Sequence, residues 1–310
     1  MDKVSWRSAQ RTQSKASIVI EGLSGTGKSG TALLIASALA DWDKIYAADS
    51  ENKSLDLFEG LTLSDGKRVA PFKKIDLTGD YLPSTYLELR DSAIQDGAEV
   101  FIADSLSHAW IGQGGVLDVV GRLEAENSKL NKFNAWGQPV VMDEKNKLPA
   151  LFRDPRVHCI STVRLKEKFE MIQGEGVHSV GEQQVMQSDM KYEPDLLLRM
   201  VRPGTPDGEP PVVKVGKTRY AFLRLGQEYA LTDEILKQLG EYLNEGADPA
   251  VLKERQRQDY ITTITDLLKS DSTKQMSYKM FRKGRKIPDD VKLPDMELDM
   301  LQIIYKYISE

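Results

Sequence analysis

Short apolar runs alternate with helical stripes along most of this chain, and then the strand-like runs stop. Residues 17–21 (SIVIE) form a β-branched run that ends in a glycine-rich turn, and residues 31–40 (TALLIASALA) follow with the apolar spacing of a helix. Residues 44–48 (KIYAA) and 99–103 (EVFIA) predict buried strands, each closing on an aspartate, Asp49 and Asp104. Residues 74–77 predict a short edge strand, 86–95 and 116–127 helices, 157–163 (VHCISTV) a fourth apolar strand, and 195–201 and 211–217 later strands. Strands alternating with helices predict an α/β fold with a mostly parallel sheet covered on both faces. From Thr232 the pattern is helical only, through residues 231–243 and 248–268 to Leu298, Leu301, Ile304, Tyr305 and Ile308. The expected organisation is a basic arm at 1–16, with Lys3, Arg7, Arg11 and Lys15 around Trp6, then a core at 17–246 and a small helical C-terminal domain at 247–310.

Composition narrows this picture in three ways. At 310 residues, with 40% hydrophobic and 29% charged residues, the chain has the make-up of an ordinary globular protein. Its net charge of -5 gives no global attraction to nucleic acid, so any such surface has to be local. No apolar stretch approaches the length of a membrane span, and the N-terminus lacks the apolar block of a signal peptide, so a cytoplasmic protein is expected. Cys159 is the single cysteine and lies inside an apolar run, which predicts a buried thiol without a chemical role.

The glycine-rich turn carries the chemistry. Gly22-Leu23-Ser24-Gly25-Thr26-Gly27-Lys28-Ser29 matches G-x-x-x-x-G-K-[ST] in full, after a strand and at the opening of a helix, and Gly30 continues it. Glycines let backbone amides wrap a phosphate, and the helix N-terminus adds partial positive charge. Lys28 is expected to reach the β- and γ-phosphates of ATP or GTP, and Ser29 to hold Mg²⁺. Asp104, at the end of an apolar strand, is the expected acid of the Mg²⁺ shell. Hydrolysis also needs a carboxylate to orient water. Glu51 and Asp49, both at the end of the second strand, qualify on spacing.

The order of the phosphate loop, strand-Asp49-x-Glu51 and strand-Asp104-Ser105 resembles the core of RecA-type recombinase ATPases. More closely, it resembles the phage-encoded RecA-like ATPases of single-strand annealing and recombination. Ile102 to Trp110, Gly112 to Asp118, Phe133 to Gly137 and Ser161 to Lys166 carry that closer likeness, which covers roughly residues 17–231. The resemblance implies that Glu51 activates water and that Thr162 senses the γ-phosphate. It implies that Arg164 and Lys166 present positive charge to nucleotide, including that of a neighbouring subunit. His108 is expected to be a packed loop histidine.

Two segments are candidates for DNA contact. The glycine-containing stretch 171–191 is expected to be a mobile loop, placed like the loop with which RecA-type proteins hold single strands. Residues 274–286 interleave Tyr278 and Phe281 with Lys274, Lys279, Arg282, Lys283, Arg285 and Lys286, a composition suited to base stacking and phosphate neutralisation. The expected protein is therefore an oligomeric, Mg²⁺-dependent ATPase that binds single-stranded DNA and works with recombination or replication proteins. The rivals are a small-molecule kinase and a nucleotide-gated DNA-binding scaffold with negligible turnover.

Overall fold

A computed structural model describes residues 8–126, 132–172, 176–205 and 208–309. Lys3, Trp6 and Arg7 of the basic arm, together with Asn127 and Gly174, lie outside these residues. The chain divides into two units, residues 14–243 and residues 8–13 with 244–309.

The larger unit is built on β1 (Ser17–Gly22), β2 (Ile45–Asp49), β3 (Lys73–Asp76), β4 (Val100–Asp104), β5 (His158–Ile172), β6 (Gly176–Gln184), β7 (Leu196–Arg202), β8 (Val212–Thr218) and β9 (Glu228–Ala230). Its strands run in the order β3-β2-β4-β5-β1-β7-β8-β9, with β6 paired to β5. The pairs from β3 across to β7 are parallel, whereas β7–β8, β8–β9 and β5–β6 are antiparallel. The fold is thus α/β with a mixed, mostly parallel sheet.

Both faces are covered, as continuous apolar strands require. Helix α1 (Lys28–Leu39) is apolar nearly all round and buries Ala32, Leu33, Leu34, Ile35 and Ala36 against Ile18, Ile20 and Ile102. Leu236, Leu239 and Leu243 of α7 (Asp233–Asn244) complete that layer. On the other face, Tyr86 and Ala93 of α2 (Pro83–Gln95) and Leu148 of α6 (Pro139–Ala150) pack on Val19, Phe101 and Cys159. Between them in sequence lie α3 (His108–Ile111), α4 (Val116–Glu126) and α5 (Lys132–Trp136). Cys159 is buried, and burial raises its thiol to about 12, so it is inert.

Two expectations are corrected here. The fourth apolar strand does not end at Val163 but runs on to Ile172. The expected mobile loop at 171–191 is in large part strand: β6 pairs antiparallel with β5, Leu165 opposite Gln184 and Met171 opposite Val177, making a hairpin arm. Partner hydrogen bonds rather than residue preference create this strand, so its glycines misled.

The smaller unit packs α8 (Pro249–Ser270), α9 (Ser272–Gly284) and α10 (Leu298–Ser309) around Ile264, Phe281, Met296, Leu301, Ile304 and Ile308. Residues 8–13 belong with it. Thr12 bridges Ala247, Gln13 N–H donates to the Ala247 carbonyl at 3.0 Å, and Arg11 pairs with Glu245 at 2.8 Å.

Candidate functional site at the carboxyl edge of the parallel strands

Parallel register brings the singled-out residues to one edge. Gly22 lies opposite Arg164, and Asp49 opposite Asp104. Because β5 runs between β1 and β4, Thr162 stands between the glycine loop and Asp104. The crevice beyond the carboxyl ends of such strands is where ligands bind in open α/β sheets.

The loop from Gly22 turns through Gly25 (φ 78°) and Gly27 (φ 83°), left-handed conformations that side-chain-bearing residues adopt at a cost. A Cβ on Gly27 would also stand 2.8 Å from Pro203. Lys28 opens α1, and its ammonium donates to the Leu23 carbonyl at 2.8 Å, which also accepts from the Thr26 hydroxyl at 2.8 Å. Burial lowers the Lys28 pKa, while Asp104 and Glu51 draw it up and Arg164 draws it down. One cluster thus contains the lysine, both acids and the arginine.

Asp104 is almost wholly buried. Burial raises its carboxyl above the usual range, and hydrogen bonds from the Thr162 and Ser29 hydroxyls oppose the rise. Thr162 donates to Oδ1, and Oδ2 has no partner. An orphaned buried carboxylate oxygen beside the Ser29 hydroxyl fits a hard divalent cation. Among the described residues no three His, Cys, Asp or Glu side chains form a metal cluster, so an ion here would take its remaining ligands from phosphate oxygens and water.

Asp49 and Glu51 have different partners. Both Asp49 oxygens are occupied by backbone amides, Oδ1 by Glu51 N–H at 2.8 Å and Oδ2 by Leu55 N–H at 3.0 Å. Asp49 fixes the turn, and Glu51 is left to face the cluster. Arg164 grips Glu51 from its own chain, Nε to Oε1 at 2.8 Å with a second bond to Oε2. Lys166 lies two residues further along β5, exposed and opposite Gln183 of the arm. The Thr162 hydroxyl donates to Asp104.

No protein-family model and no curated protein matches this chain.

Beneath the pair lies a hydroxyl web that sequence reasoning missed. The Ser105 carbonyl accepts from the Ser50 and Tyr86 hydroxyls, each at 3.1 Å, and the Ser107 hydroxyl accepts from Arg164 N–H at 2.9 Å. His108 packs as expected. Its Nδ1 lies 2.7 Å from the Ser50 hydroxyl, its ring rests on Tyr81, and burial lowers its pKa. The only signal for this web was the spacing Asp104-Ser105-x-Ser107. A second unanticipated feature is a 160 Å³ slot beside Gly27 and Gly30, walled by Leu34, Phe58, Leu61, Pro203 and Pro211. These walls come from three distant segments and carry no shared motif. A larger cleft, about 900 Å³, lies elsewhere, on the face of β1, β7 and β8 beside β6. The buried Glu21 on its floor is held by Arg199 Nε at 2.7 Å and by Gln184. Its lining includes none of the cluster's residues, so the chemistry is assigned to the sheet edge.

Proposed function

We propose that this protein is a RecA-like P-loop ATPase that couples ATP hydrolysis to single-stranded DNA binding. The observation that carries the reading is the convergence of Lys28, Ser29, Asp104, Glu51 and Arg164 at one sheet edge, where charges are half-desolvated and mutually compensated. The triphosphate lies along the Gly22–Gly30 turn, and Lys28 leaves the Leu23 carbonyl to meet its β- and γ-phosphates. Ser29 and Asp104 would hold Mg²⁺, which when bound would neutralise phosphate charge. Thr162 keeps Asp104 aimed. The nucleobase enters the slot between Phe58 and Pro203.

Glu51 acts in two states. Without nucleotide its charge is spent on Arg164. The γ-phosphate offers Arg164 a competing anion, and the released carboxylate then orients and polarises the attacking water. Arg164 also opens the β5–β6 arm, so a single strand lying along the arm would bear on the same ion pair. Oligomer formation and a recombination or annealing role rest on the likeness in motif order.

The test is phosphate release from ATP and GTP, with and without single-stranded DNA, with light scattering run on the same samples. ATP-specific release stimulated by DNA supports the proposal. Transfer only to an added small acceptor would make the protein a kinase. DNA binding without turnover, unchanged in Glu51→Gln, would make it a nucleotide-gated scaffold.

A further inference from the structure

Between Ser272 and Ile287 the chain places six cations and no carboxylate, although the whole protein is acidic. The fold sorts them. Phe281 is buried against Tyr307, ring centroids 5.2 Å apart, and Tyr278 packs on the same core. Arg282 is tied to the Pro288 carbonyl and stands over the Tyr278 ring, and Arg285 stands over Phe281. The aromatics that sequence alone offered as base-stacking platforms are therefore turned inward, and two of the cations are fastened to them.

What remains, apart from the half-buried Lys274, is a stripe. Lys279 and Lys283 are spaced i, i+4 on the side of α9 opposite Phe281, and Lys286 follows just past the end of the helix. All three are exposed and without an ion-pair partner among the described residues. The first two stand about one turn, roughly 6 Å, apart along the helix. Exposed Met276 and Met280, at 67% and 61%, flank them. Like charges at i, i+4 repel and weaken a helix, and no acid on α9 relieves them. A flexible single chain of phosphates would. A membrane surface is the poorer match, because an interfacial helix sets Trp, Phe or Leu beside its cations and here the aromatics face the core.

We propose that this face of α9 is a nucleic-acid backbone contact that works by charge, without base stacking. It deepens the DNA half of the function proposed above and is independent of the nucleotide site. The experiment uses the full chain and Lys279→Gln/Lys283→Gln/Lys286→Gln, titrated with oligo-dT and with duplex DNA across a range of KCl. Each single-strand phosphate that is no longer neutralised lowers the slope of log affinity against log salt by about 0.7. By that measure the triple variant should bind with a slope smaller by about 2 and at least tenfold more weakly at low salt. Its melting temperature and ATP affinity should not change. A weaker effect on duplex than on oligo-dT supports a single-strand role. An unchanged salt slope overturns the proposal, as does wild-type binding to anionic vesicles but to neither DNA. Either failure leaves the nucleotide reading standing if ATP still binds.

Discussion

The carboxyl edge of the parallel strands and the helical unit treat charge in opposite ways. At the sheet edge, Asp104 and Lys28 are buried and Glu51 and Arg164 half-buried against one another, with one carboxylate oxygen left unpartnered. In the helical unit, aromatics and aliphatics fill the interior while lysines stand in solvent. Desolvated charges interact strongly with one another. Solvated cations interact weakly and additively, which suits attraction to a polyanion. Charge density along the chain singles out the basic helix, whereas burial singles out the sheet edge.

The contrast breaks most readily at Lys28. In Lys28→Ala, nucleotide affinity should fall about 10²- to 10³-fold, because a phosphate is left without its buried cation. Unaltered binding by isothermal calorimetry in a folded variant would remove the site. Glu51→Gln should lower kcat roughly 10²- to 10⁴-fold with little change in ATP affinity. Asp49→Asn should act mainly through stability, since Asp49 caps its own turn. A larger kcat loss in Asp49→Asn would exchange their roles. Mixing Arg164→Ala with Glu51→Gln subunits should restore no activity, because the two residues meet within one chain.

Phe281→Ala probes the other region. It should destabilise the helical unit by about 3–5 kcal/mol in denaturant titrations and leave the salt slope of DNA binding alone. A folded variant with normal stability and weaker DNA binding would restore the stacking reading.

Asp104→Asn separates stability from chemistry. Burial holds the Asp104 carboxyl above its ordinary value. Its contribution to stability is therefore present in acid and is lost as pH rises through the raised pKa. At pH 7.5 the variant should melt a few degrees higher than wild type, since about 1 kcal/mol corresponds to roughly 2–4 °C in a unit of this size, and Mg²⁺-dependent hydrolysis should vanish. A lower melting temperature would mean that the carboxylate is better compensated than its orphaned oxygen suggests.

A pH dependence of stability belongs to His158, whose Nδ1 accepts from Ala16 N–H at 2.8 Å. Burial depresses its pKa to about 3. The stability it supplies is complete above the unfolded value of about 6.5 and drains as pH falls toward 3, at up to about 1.4 kcal/mol per pH unit. His158→Asn keeps an acceptor, so the difference between wild type and variant in urea midpoint should shrink between about pH 7 and pH 5. A constant difference would remove His158 as the titrating group.

Much of this was legible in the residues. The apolar runs at Ser17, Ile45 and Val100, each ending in a turn or an acid, determined strands and a sheet edge, because a buried parallel strand has to be continuously apolar. The phosphate-loop motif and Asp104 were readable because local geometry dictates their residue types. Helix α6 was missed although Val141, Glu144 and Leu148 turn inward at helical spacing, because Pro149 and a polar majority hide the stripe. Other features belong to tertiary structure alone. That Asp49 is held by amides of its own turn while Glu51 pairs with Arg164 depends on how the turn and β5 come together. Arg164 meets Glu51 across 113 residues of chain through strand order, not sequence proximity. Phe281 and Lys279 are neighbours in one basic segment, and only the packing of α8, α9 and α10 puts the first in the core and the second in water. Local pattern records what a residue prefers, whereas which of several equal candidates is buried, paired or left open is settled by contacts distant in sequence.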